Sequence, residues 1–482
     1  MSWKRAKKLI WIGAGAFVGT LALLFVALVG AAKYYASGAE IPEVAKSSVF
    51  ARSTEPHEIH LIDSGIASLN ERLEVIASAK QTLELEFFIY NVDEASRILT
   101  QALVKKAREG VAVRILVDFS APVFQLKPVY ARFLQSYGVK VKYYNTTPLY
   151  RVFSAQHRSH RKLLIADGTT VITGGRNIGD DYFDLSHHYN FLDSDVLIRG
   201  PIVAKVRESF DLYWSSPLAR DAEAPDTDGT EESRATDFFL PTPSDQIVIE
   251  TLRSRREELE KRVPPFECRD LTFVTDFPEK GEGHRKVFST IVEIMKEARK
   301  EVWVESPYFV IKGDGYDVLK SVESQGAQIK VLTNSLASTD AYYTVAALYP
   351  NVDWLESSGI EIFAYDGSPP VGSQASLLPS SERWGVHSKR AVVDGQTVLI
   401  GTYNVDPRSA NLNSELMFAC RGNAALARAM RESIIGRAER AAAVIDEKGR
   451  TDTGALIGAT TFGEKIPFWL AMPFASLFDF LL

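Results

Sequence analysis

HRKLLIADGTTVITGGRN, residues 160–177, and HSKRAVVDGQTVLIGTYN, residues 387–404, are two copies of one pattern, His-x-Lys-x4-Asp-x6-Gly-x2-Asn. Its fixed positions are His160, Lys162, Asp167, Gly174 and Asn177 in the first copy and His387, Lys389, Asp394, Gly401 and Asn404 in the second. At average residue usage a chance match at any start point is on the order of one in a few million, so two matches at one spacing mark a duplication. Each copy reads as a hairpin. Leu163 to Ala166 and Ala391 to Val393 are strands, Asp167-Gly168 and Asp394-Gly395 are turns, and Thr170 to Thr173 and Thr397 to Ile400 return.

The duplication extends outward from the hairpins. GVAVRILVD, ending at Asp118, and GAQIKVLTN, ending at Asn334, each follow a charged amphipathic stretch, Ile98 to Glu109 and Tyr316 to Gln325. A βαβ unit is therefore expected in each half. Leu83 to Tyr90, Val302 to Val310, Val139 to Tyr144 and Ile360 to Tyr365 add further strand candidates, rich in β-branched and aromatic residues. The expected fold class is α/β, two α/β halves related by a pseudo-twofold axis with both hairpins at their interface. Arg220 to Asp237 is acidic and poor in large apolar residues, which reads as a linker or exposed loop, and Gln246 to Arg262 as a charged helix. The halves then run over 61–237 and 238–482, preceded by a linker at 33–60.

Residues two apart in a strand share a face, so His160 points with Lys162 and His387 with Lys389. Two imidazoles and two ammonium groups in one cavity suit phosphodiester chemistry without a metal or organic cofactor. One neutral imidazole attacks phosphorus, the other protonates the leaving alkoxide, and the lysines with Asn177 and Asn404 hold the nonbridging oxygens. Gly174, Gly175 and Gly401 would let backbone approach the phosphate. Asp167 and Asp394 complete the set of candidate catalytic residues, although their place before Gly also fits a carboxylate that holds a turn. A nucleophilic His needs its second nitrogen oriented, preferably by a carboxylate. Asp193, 33 residues after His160, and Glu415, 28 after His387, are the candidates.

The bulk composition narrows the partners. A net charge of −6 argues against a protein whose main affinity is for nucleic acid. Lys4, Arg5, Lys7 and Lys8 precede an uncharged run, Leu9 to Ala32, long enough to cross a bilayer of about 30 Å. Residues 1–32 are thus expected to be a transmembrane anchor with its basic flank in the cytoplasm and the remainder on the far side, a cleaved signal peptide being the alternative. Cys268 and Cys420 lack nearby His partners, which disfavours zinc and leaves a single bridge open outside the cytoplasm. Ile466 to Leu482 is apolar and broken by Pro467 and Pro473, so it reads either as an interfacial membrane segment or as a terminus packed on its own core.

These residues resemble the phospholipase D superfamily, whose mark is the paired HKD motif. GGRNIGDDYF at 174–183, WGVHSK at 384–389 and DPRSANLNSE at 406–415 resemble bacterial cardiolipin synthases of the C type. The resemblance runs from about Leu61 to the C-terminus. It implies duplicated α/β/α halves with one active site at their interface, in a protein of the bacterial inner membrane with its catalytic domain on the periplasmic side. It also implies phospholipid substrates, no nucleic acid, and a covalent phosphohistidine formed by His160 while His387 serves as acid and then base. Cardiolipin would form from phosphatidylglycerol and a second phospholipid. The alternatives are a phospholipase D hydrolase and, less in keeping with the charge, a nuclease. Thr402 stands where relatives often carry Ser and retains the hydroxyl. No protein partner is legible.

Overall fold

The computed structural model describes residue 19 and residues 49–120, 123–147, 154–223, 229–254, 265–278, 285–370 and 383–478. The proposed anchor at 1–32 lies outside the described residues apart from Gly19, and among the described residues no helix is long and apolar enough to cross a membrane.

Both motif hairpins form as expected, Leu163–Ala166 with Thr170–Gly174 and Arg390–Val393 with Thr397–Gly401. The turns demand a left-handed backbone at both central positions, which Asp and Gly tolerate. Asp167 and Gly168 sit at φ 53° and 65°, and Asp394 and Gly395 at 52° and 63°.

Each hairpin lies at the middle of a nine-stranded sheet, and the two sheets have the same order. In the first, Lys140–Tyr144, Ala112–Asp118 and Thr82–Phe87 run parallel, followed by the hairpin, Asp195–Arg199 and His57–Ile62. In the second, Ile360–Tyr365, Gln328–Asn334 and Glu301–Glu305 run parallel, followed by the hairpin, Leu416–Cys420 and Leu271–Thr275. The parallel strands need crossovers, which the helices Glu94–Arg108 and Asp314–Ser324 supply. Helices Gly65–Ser78 and Lys286–Met295 flank them on the outer faces. The inner faces share one core, to which the helices Val203–Trp214 and Ala424–Ala438 contribute Phe210, Tyr213, Met430 and Ile434.

The halves exchange their edge strands, and this departs from the boundaries read from sequence. Phe50–Ser53, inside the expected linker, pairs with Leu271–Thr275 in the second sheet. Phe266–Cys268, expected in the second half, pairs with His57–Ile62 in the first. A disulfide joins Cys268 to Cys420, so the exchanged strand of one sheet is tied to the other. The stretch Arg220 to Asp237, expected as a linker or exposed loop, also holds regular structure where it is described. Ala219–Asp221 extends the first sheet and Gly229–Phe239 is a helix, whose Phe239 stacks on Phe133 with ring centroids 4.7 Å apart. Residues 224–228 lie outside the described residues. Gln246 falls in the helix Pro243–Ser254, and residues 255–264 lie outside the described residues.

The apolar C-terminal segment is a helix, Phe462–Phe478, with both prolines inside it. Phe468 is fully buried and meets Tyr349 edge-on at 5.7 Å. Ile466, Trp469, Leu470 and Phe474 remain exposed, so one face is packed and the other is an apolar surface.

Candidate active site

The site grows from two short parallel pairings between the halves. Arg158–Ser159 pairs with Asn413–Ser414, Ser159 opposite Ser414. Arg383–Val386 pairs with Tyr189–Leu192, Val386 opposite Leu192. In parallel register the next residues are neighbours, so His160 meets Glu415 and His387 meets Asp193. The backbone amides of His160 and His387 donate to Ser414 O at 2.9 Å and Leu192 O at 2.8 Å.

Each imidazole is therefore held by the carboxylate of the opposite half. His160 Nδ1 lies 3.1 Å from both Glu415 oxygens and 3.1 Å from Thr402 O, and His387 Nδ1 lies 2.5 Å from Asp193 Oδ2. Asp193 and Glu415 thus stand where orienting carboxylates were expected, with their partners crossed relative to chain order. Carboxylates on both Nδ1 atoms put the proton there and leave each Nε2 as a base. The Glu415 carboxylate is fixed in turn by Thr402 Oγ1 at 2.5 Å and Ser409 Oγ at 2.8 Å. The Asp193 carboxylate accepts from Ser194 N at 2.7 Å.

Lys162 and Lys389 are buried, and each ammonium donates to the carbonyl of its own motif histidine. The four groups share one electrostatic environment. Burial lowers His160 to about 4, against the pull of Glu415, with Lys162 and Lys389 both adding to the depression. Burial likewise lowers His387 to about 3, with help from Lys389 and Lys162. The lysines fall to about 7 and about 8, chiefly through burial. Asp193 and Glu415 stay below the usual carboxylate range: the histidines and lysines favour their ionised forms and overcome the burial that opposes it. Two lysines opposite two ionised carboxylates leave a buried site in which both imidazoles are neutral.

Other sequence candidates occupy different places. Asp167 accepts from the amides of Lys80, Gln81 and Thr82 at 2.8, 2.7 and 2.9 Å. Asp394 accepts from Arg299, Lys300 and Glu301 at 2.9, 2.8 and 3.1 Å. Both lie at the far ends of the motif strands, roughly 20 Å of extended chain from their histidines. As candidate catalytic groups they are corrected: each clamps its hairpin to the start of the central strand. Asn177 Oδ1 accepts from Ile89 N at 3.1 Å, while Asn404 Oδ1 is buried with no hydrogen-bond partner among the described residues. The glycines open the backbone to neighbouring chain. A Cβ at Gly175 would strike the Asp193 carboxylate, and one at Gly401 would strike Leu416 O.

Sequence reasoning missed the clamps on the motif histidines' predecessors. Asp118 accepts from Ser159 N at 2.8 Å, and Asn334 accepts from Val386 N at 2.8 Å. The signal was present, since these residues close the two matching strands GVAVRILVD and GAQIKVLTN. It also missed Ser409 and the fully buried Arg437, which donates to Asp193 O at 2.9 Å and to Glu305 at 2.6 Å.

Comparison with known proteins places this arrangement. A family model described as cardiolipin synthase, PLD-like domain, matches residues 73–214 and again 291–434. Cardiolipin synthase C of Escherichia coli is 30% identical over 410 residues, covering 78% of this chain and 85% of that protein. Cardiolipin synthase A of Pseudomonas fluorescens is 27% identical over 389 residues, covering 80% and 68%. The crystal structure of a phosphatidylserine synthase from Haemophilus influenzae shares the fold at a TM-score of 0.62 and 14% identity, over 88% of this chain and 95% of that one. With one copy of the motif in each matched region and the dyads between them, the chain belongs to the phospholipase D superfamily, in its cardiolipin synthase family.

Proposed function

We propose that this chain is a membrane-anchored phosphatidyltransferase that forms cardiolipin from phosphatidylglycerol and a second phospholipid. The observation that carries the reading is the pair of crossed dyads, His160 with Glu415 and His387 with Asp193, around Lys162 and Lys389. His160 Nε2 attacks the phosphorus of the phosphatidyl donor. The bond to the headgroup oxygen breaks, and His387 delivers a proton to that oxygen, leaving a phosphatidyl group on His160. A hydroxyl of phosphatidylglycerol then attacks phosphorus, His387 takes its proton, and the P–N bond breaks to regenerate His160. The arriving phosphate anion favours the imidazolium of His387 and the ammonium forms of both lysines, against the burial that disfavours them.

Lipid substrates and a place outside the cytoplasm draw on further features. The basic flank and apolar run at the N-terminus fit an anchor, and the Cys268–Cys420 disulfide fits an oxidising compartment such as the periplasm. The exposed apolar face of the C-terminal helix fits contact with a lipid surface. The test is to incubate the purified full chain with labelled phosphatidylglycerol, with and without phosphatidylethanolamine, and to identify the products. Cardiolipin is expected, and abolished in His160→Ala and His387→Ala. Phosphatidic acid alone would make the protein a hydrolase, and full activity in either variant would overturn the two-histidine scheme.

A further inference from the structure

The two halves match in topology but differ in how they fill the outer face of the motif sheet. In the first half large side chains fill that face at the motif strand. Leu164, two residues beyond Lys162 on the same face, is 1% exposed, and the fully buried Arg176 spans the space beside it, donating to Tyr182 O at 3.0 Å and Ile62 O at 3.1 Å. The displacement that carries His160 onto His387 carries Leu164 onto Ala391 and Arg176 onto Tyr403. Both covering helices also shorten, from 14 and 15 residues at Gly65–Ser78 and Glu94–Arg108 to 10 and 11 at Lys286–Met295 and Asp314–Ser324.

The second half holds a cavity of about 450 Å³ over its motif strands. Its floor begins at Lys389 and Gly401 and continues along the paired residues Ala391 and Leu399. Helix side chains including Phe288, Met295 and Val318 line it from above. The volume lies within the range of about 300–1,000 Å³ usual for small-molecule sites. The lining joins apolar side chains, Phe288, Met295, Val318, Ala391 and Leu399, to charged ones that include Arg285, Asp314 and Lys389, a combination that suits an amphiphile with an alkyl chain and a phosphate.

Resting on the phosphatidyltransferase reading, we propose that this cavity takes one acyl chain of the phosphatidyl group whose phosphate lies at Lys389. Both halves then supply phosphate chemistry, and the second also holds the tail and selects its length.

The test uses the full chain in detergent micelles and phosphatidylethanolamine, as phosphatidyl donor, carrying a photoreactive diazirine near one acyl terminus. Irradiation should label Phe288, Met295 or their neighbours, with competition by dioleoyl-phosphatidylethanolamine and none by glycerophosphoethanolamine. Ala391→Leu, which restores the residue of the first half, should lower labelling and long-chain turnover about tenfold or more, the loss of burial for about two methylenes. Turnover of a dihexanoyl donor should persist, which also shows that the variant folds. Val318→Phe, filling the same space from the helix side, should behave alike. Labelling confined to other surfaces in an enzyme that makes cardiolipin would overturn the tail site and leave the transferase reading intact. Labelling of the cavity without lipid turnover would support the tail site and remove the transferase reading.

Discussion

Glu415 and Asp193 do equivalent work with different reach. Glu415 stands 3.1 Å from His160 and is steadied by the Thr402 hydroxyl, while the shorter Asp193 comes to 2.5 Å from His387 because Gly175 leaves room for it. This asymmetry allows the two histidines to be separated by experiment. Removing the charge from an orienting carboxylate should cost about 10²–10⁴ in rate. With a p-nitrophenyl phosphodiester the leaving group needs no acid, so Asp193→Asn should keep a burst of p-nitrophenol in rapid-mixing kinetics and lose the steady-state rate. Glu415→Gln should lose the burst itself. The reverse pattern would make His387 the nucleophile.

At the scale of single elements, the motif hairpins and the C-terminal helix show where local signals hold. The Asp-Gly turns were readable because few residues accept a positive φ, and each Asp also binds three backbone amides of the neighbouring strand. Asp167→Asn and Asp394→Asn keep the turn and weaken these bonds. Chemical denaturation should show a loss of about 1–3 kcal/mol each, with kcat nearly unchanged in the folded fraction; a collapse of kcat at full stability would return these residues to the chemistry. The C-terminal helix was ambiguous because apolarity alone does not say what covers it. Its two faces can be tested separately. Phe468→Ala should destabilise by about 3–5 kcal/mol through a cavity, whereas Trp469→Ser with Leu470→Ser, made in a chain lacking residues 1–32, should weaken binding to anionic vesicles in sedimentation and spare dihexanoyl turnover. Unchanged vesicle binding in the latter variant would remove the helix from the membrane surface.

Across the whole molecule, exchange of Phe50–Ser53 and Phe266–Cys268 makes each sheet depend on the other half. The disulfide closes a separation of 152 residues, and loss of such a bridge typically costs about 2–5 kcal/mol. Cys268→Ser with Cys420→Ser should therefore lower the urea midpoint. Reduction with dithiothreitol should do the same to the parent chain and nothing to the double variant. An unaltered midpoint in both would make the bridge dispensable. Because the dyads cross the interface, loosening the halves should lower activity before the sheets themselves melt, as read by circular dichroism beside turnover.

The sequence alone determined the duplication, the hairpins, the two histidines and lysines, and both carboxylates, because each depends on residue type at a short, repeated spacing. Only the tertiary structure decided which carboxylate serves which histidine. That follows from parallel register between segments distant in the chain, Ser159 beside Ser414 and Val386 beside Leu192. It likewise decided that Asp167 and Asp394 stand away from the site, that the edge strands trade places, and that a cavity lies along Ala391. Such outcomes depend on what packs against a residue from distant chain, and spacing along one strand carries no record of that.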